Sequence, residues 1–179
     1  MIFVDIIIFL VVGLLLIQGS LRLFHKISNQ ERFRLGMLFS ISYICIILLG
    51  GISFVLDKDF DNKNLSFLDY INNGPINANF WKTVLVGLGS GITFGFIDNA
   101  GLWFGMDALD PILPKGTLTK AGFGNVYADT LSAFLATFAG KIISTITNTD
   151  HTPLWADAVG TAIGCLIGLF VCKFITGRN

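Results

Sequence analysis

Long apolar runs alternate with short polar connections along this chain. The runs fall at about residues 1–18, 35–56, 83–106, 123–146 and 154–175. A hydrocarbon core about 30 Å thick takes about 20 helical residues to cross. The apolar residues are continuous, without the alternation of a barrel strand, and only helices and closed barrels satisfy their own backbone groups in lipid. The pattern predicts an all-α, multi-pass transmembrane helical bundle of about five spanning helices. Leu35 to Leu56 carries no charge. The first run has Asp5 near its start and Arg22, Lys26, Arg32 and Arg34 behind it, the reverse of a secretory leader, so it reads as an uncleaved anchor.

The runs differ in kind. Residues 1–56 read as an N-terminal hairpin of two helices rich in Ile, Leu, Phe and Val. Residues 57–82 form a polar connection with Asp57, Asp59, Asp61 and Asp69. Within it, Leu65, Phe67, Leu68 and Ile71 make either one face of a short helix on the membrane surface or a packed loop. Residues 83–179 repeat small side chains every four positions. One run has Gly87, Gly91 and Gly95; the next has Gly124, Ala128, Ser132, Ala136 and Gly140; the last has Ala156, Gly160, Gly164 and Gly168. Positions four apart share a helix face, and small faces let helices approach closely in lipid. The expectation is a three-helix glycine-zipper core, with partners either among these helices or in neighbouring copies. Tyr127-Ala128-Asp129 and Trp155-Ala156-Asp157 open two of the stripes alike. A shared way of starting a helix accounts for this better than an internal repeat.

Composition narrows the function classes. Of the residues, 53% are hydrophobic and 13% charged, against about 25% charged in soluble domains, and mean hydropathy is +0.72. With a formal net charge of zero there is no broad field to hold nucleic acid. Lys and Arg concentrate in the first connection (Arg22, Lys26, Arg32, Arg34), the third (Lys115, Lys120) and the tail (Lys173, Arg178). The second connection holds Lys58, Lys63 and Lys82, and the fourth none. This bias predicts the N-terminus outside or lumenal and the C-terminus cytoplasmic. Trp81, Trp103, Trp155 and Tyr127 stand near the ends of runs, as in an aromatic belt. Cys45, Cys165 and Cys172 lie in apolar stretches, far from His25 and His151, so no metal site is expected. No nucleophile elbow, paired histidines, Cys-x-x-Cys or phosphate loop is present, and Gly87-x-Gly89-x-Gly91 lies inside an apolar helix. The sequence predicts no enzyme, catalytic residue or cofactor.

Ionisable residues inside the runs are the functional candidates, because each costs about 2.5–3.5 kcal/mol or more at a bilayer centre. They are Asp98 with Asn99, Asp129, Lys141 and Asp157. Asp98-Asn99 is expected to mark a break between two half-helices. Asp98 and Asp129 are expected at similar depth, with Asn125 or Tyr127 nearby. Lys141 is too far along its helix to pair with Asp129. The structural readings are favoured over these: Asp98 as a cross-helix hydrogen-bonding residue, and Asp129 and Asp157 as helix-starting acids.

Residues 95–111 (GFIDNAGLWFGMDALDP) and 119–129 (TKAGFGNVYAD) resemble small multi-pass membrane proteins of large icosahedral DNA viruses. The resemblance covers about residues 83 to 175. It implies a protein of the internal virion membrane, beneath or anchoring the capsid, and carries no catalytic residues. Two functions remain. One is a structural or scaffolding membrane protein, meeting other membrane or capsid proteins through residues 57–82 and 106–122. The second of these segments is stiffened by Pro111 and Pro114 among Asp107, Asp110 and Lys115. The other is a small ion or proton channel or transporter using Asp98.

Overall fold

A computed structural model of the chain describes residues 2–22, 28–61, 67–73, 76–77, 79–109, 115–149 and 151–177. It has helices α1 (Ile2–Arg22), α2 (Asn29–Asp61), α3 (Phe67–Ile71), α4 (Phe80–Leu109), α5 (Thr117–Thr147) and α6 (Leu154–Thr176), and no strand among the described residues. Four helical stretches are long and apolar enough to cross a membrane: Asn29–Leu56, Phe80–Met106, Thr117–Thr147 and Leu154–Thr176. The apolar stretch of α1, Ile6–Arg22, is shorter.

The helices outrun the apolar windows because their ends are built by local hydrogen bonds, which hydropathy does not register. Ser28 and Glu31 form a capping box at the start of α2. The Ser28 Oγ and backbone N–H both donate to Glu31 Oε2, and the Glu31 N–H donates back to Ser28 Oγ. The resulting 33 residues of α2 extend about 50 Å, well beyond a hydrocarbon core. At the other ends, Asn148 and Gly177 adopt left-handed conformations with φ of 53° and 62°, and their N–H groups close the last turns of α5 and α6 onto Ser144 and Lys173.

The chain divides into two compact units, Met1–Tyr70 and Ile71–Asn179. In the first, α1 and α2 form an antiparallel hairpin. Gly36 lies against Leu21, Gly13 against Tyr43 and Gly51 against Ile6. The Tyr43 ring covers the bare backbone at Gly13, and its hydroxyl donates to the Phe9 carbonyl at 2.6 Å. Phe67 is 2% exposed and packs edge-on to Phe9 and Phe54, with ring centroids 5.5 Å apart in both pairs. Its neighbour Leu68 is 52% exposed. Phe67 thus turns into the hairpin, where its ring packs among two others, while Leu68 faces outward. Leu65, Asp57, Asp59 and Asp61 lie outside the residues whose side chains are described, as do Asp5, Asp107, Asp110, Pro111 and Pro114.

In the second unit α4 is central. It runs parallel to α6, pairing Gly87 with Ala156, Gly91 with Asp157 and Gly95 with Thr161. It runs antiparallel to α5, pairing Gly140 with Ser90 and Gly101 with Ala128. Both neighbours pack extensively on α4, whereas among the described residues α5 and α6 have no more than marginal contact with each other. The buried line of α5 is Gly124, Ala128, Ser132, Ala136 and Ser144. That of α6 is Ala156, Gly160, Gly164, Gly168 and Cys172. The α4–α6 contact is backbone against backbone. A methyl group on Gly91 would collide with the Asp157 carbonyl oxygen and lie 2.7 Å from the Thr161 nitrogen. One on Gly160 would lie 2.6 Å from the Leu88 oxygen, and one on Gly164 would collide with that of Ile92.

Gly91→Ala is expected to destabilise the second unit by about 1–3 kcal/mol, because backbone cannot retreat as a side-chain tip can. Gly19→Ala, where the added methyl meets nothing within 4 Å, is the control and is expected to be near neutral. Thermal loss of monodispersity in detergent measures both.

Candidate functional site: a polar cluster between membrane-length helices

Four of the five intramembrane candidates divide between two levels of α4, and Asn99 joins the upper one. At that level Asp98 of α4 meets Asp129 of α5, the two carboxyl groups lying within hydrogen-bonding reach. A hydrogen bond between two carboxyl groups needs a proton on one of them. Asn125, one turn before Asp129, donates from Nδ2 to Asp129 Oδ2 at 2.6 Å. This i, i+4 pairing holds one oxygen of the Asp129 carboxyl along the surface of α5. Tyr127 lies elsewhere, with its ring against Gly105 and its surface half exposed.

Asn99 turns to the opposite neighbour. Its Nδ2 donates to the Cys165 carbonyl oxygen of α6 at 2.7 Å, beside Gly168, whose bareness admits the Asn99 side chain. α4 is continuously helical through both residues, so no break into half-helices exists at Asp98-Asn99. The amide and the carboxyl each find a group on a neighbouring helix, and the main chain has no unsatisfied partner that would favour unwinding. Among the described residues, Asp98 Oδ1 and Trp103 Nε1 are buried without a hydrogen-bond partner.

The lower level lies around Ser90 and Gly91. Asp157 sits beside Gly91 in the first turn of α6, and Lys141 follows Gly140, which lies against Ser90. Both Lys141 and Asp157 are exposed. The two carboxyl-bearing levels are separate: Asp157 does not join Asp98 and Asp129, and Lys141 stays apart from Asp129. Among the described residues, no group of three or more His, Cys, Asp or Glu could hold a metal ion. The Trp155 indole donates to Asn72 Oδ1 at 3.0 Å, whereas Trp81 is 70% exposed.

Two features escaped the sequence reading. α4 carries a second small face, Ser90, Gly101 and Gly105, which meets α5. The signal was available as Gly101-x-x-x-Gly105. Trp103 buries its indole N–H, and nothing in its flanking residues marks it apart from a belt tryptophan. Compared with protein-family models, curated proteins and solved structures, the chain finds no match.

Asn99→Ala removes the only side-chain hydrogen bond described between α4 and α6, and is expected to cost about 1 kcal/mol, the scale of interhelical hydrogen bonds in membranes. Asp98→Asn keeps a donor for Asp129 and is expected to cost less than Asp98→Leu, which strips that partner. Comparing unfolding midpoints of the three variants in one detergent checks the order.

Proposed function

We propose that this chain is an integral membrane structural protein whose second unit is a rigid glycine-zipper platform, and that α1 completes a five-span topology with the N-terminus outside. The observation that carries the reading is the α4–α6 contact, where carbonyl oxygens of one helix lie where side chains of the other would be. Such packing serves a scaffold, because each residue's movement is tied to a facing backbone. The antiparallel hairpin of the first unit supports an even number of crossings before α4. The resemblance of residues 95–111 and 119–129 to virion membrane proteins extends the proposal to an internal viral membrane, lying beneath or anchoring a capsid. Its partners there are other membrane or capsid proteins, met through the polar segments 57–82 and 106–122.

A second reading, a proton or cation pathway, is favoured by one observation: the buried, unpartnered Asp98 Oδ1 beside Asp129. Such a carboxyl is a place where a proton or a cation gains a partner. Liposomes reconstituted with the purified chain decide between the two. The structural reading expects no proton, sodium or potassium flux above empty vesicles. A flux that Asp98→Asn abolishes would establish the pathway and displace the scaffold reading.

A further inference from the structure

α5 and α6 flank α4 without closing on each other, so one side of the second unit carries an open groove. It has a volume of about 360 Å³, floored by Ser90, Gly91 and Phe94 of α4. Its walls are the facing edges of the flanking helices, exposed at Ala133, Thr137, Asp157 and Ala158 and closing inward at buried Ala136 and half-buried Thr161. On α5 these are Ala133, Ala136 and Thr137, and on α6 Asp157, Ala158 and Thr161. These edges differ from the rest of the lipid-facing surface. Elsewhere α5 presents Phe134, Phe138, Ile142 and Ile146, and α6 presents Leu166, Ile167, Phe170 and Phe174. The groove edges carry only small or short polar side chains, as helix–helix interfaces in membranes do.

Each edge also ends in a charge. Lys141 stands one turn beyond Thr137 on α5, and Asp157 forms the matching wall of α6. Both are level with Ser90-Gly91, because Gly140 faces Ser90 and Asp157 faces Gly91. Among the described residues neither side chain has a partner, although each is costly to leave unpaired near lipid. The two charges are opposite, at one depth, on opposite sides of one groove.

We propose that this groove is the self-association face of the chain, on which a second copy docks about a two-fold axis along the membrane normal. Copies in one membrane share one orientation, so such an axis keeps every residue at its own depth. It places α5 of one copy along α6 of the other, twice. Ala133 and Thr137 then meet Ala158 and Thr161 at close approach. Lys141 of each copy meets Asp157 of the other, giving two reciprocal ion pairs where two separate copies leave four unpaired charges. The arrangement goes beyond the scaffold role and stands whether or not the chain conducts ions.

The test exploits the reciprocity. Two full-length copies with different affinity tags are co-expressed and extracted in mild detergent, and co-purification is measured. Wild-type copies are expected to co-purify. Lys141→Asp paired with itself, or Asp157→Lys paired with itself, sets like charges together twice and should lose co-purification by about tenfold or more. Lys141→Asp co-expressed with Asp157→Lys restores both pairs and should recover wild-type co-purification. That mixed recovery cannot come from an ion pair closed within one chain or from a bound lipid headgroup. Each variant is first checked for a monodisperse elution profile, and Lys141→Gln with Asp157→Asn stand in where a reversal fails it, each expected to weaken co-purification. Three results would overturn the proposal: wild-type copies that do not co-purify, co-purification indifferent to all the charge changes, or a mixed pair no better than the matched ones.

Discussion

The second unit rests on how closely α4 and α6 approach. Lipid tails are as apolar as leucine, so hiding apolar side chains from them gains little, and helices must be held by dispersion at short range and by polar contacts. Parallel α4 and α6 reach that range by removing side chains from both faces, with Gly87, Gly91 and Gly95 set against Ala156, Gly160 and Gly164. Each helix places its carbonyl oxygens where the other would carry Cβ atoms. The tolerance of such a contact is a single methyl group, and everything packed on α4 inherits its position from it.

Other features follow from α4 being flanked on two sides. A helix between two close neighbours needs two small faces, which is why Ser90, Gly101 and Gly105 face α5 while the first glycine stripe faces α6. Polar groups then fall at fixed places along the seams. Asn99 reaches the Cys165 carbonyl on one side, and Asp98 reaches Asp129 on the other. Because α5 and α6 do not close on each other, Lys141 and Asp157 remain exposed.

Much of the architecture was legible from side-chain pattern. Helical class and membrane-length apolar segments follow from uninterrupted apolar runs; the buried line of α5 runs Gly124, Ala128, Ser132 and Ala136, then passes over half-buried Gly140 to Ser144. Helix ends were not legible from hydropathy, because Ser28, Asn148 and Gly177 set them through local hydrogen bonds. The break expected at Asp98-Asn99 rested on the cost of polar groups in lipid. The neighbouring helices meet that cost instead: the Cys165 carbonyl accepts from Asn99 and the Asp129 carboxyl faces Asp98, and the α4 backbone stays intact. Nor does spacing alone say which helix a stripe faces. The central place of α4 required knowing that it carries two such faces. In the hairpin, the seat of Tyr43 on Gly13 depends on a pairing distant in sequence that neither residue announces.

Solid-state NMR of the isotope-labelled chain in bilayers addresses the glycine contact directly. A methyl group built on Gly160 lies 3.1 Å from the Gly91 Cα, so a through-space cross-peak between the Gly91 and Gly160 α-carbons is expected, with protection of both from lipid. Cross-peaks from these glycines to acyl-chain methylenes, with none between the two helices, would contradict the account.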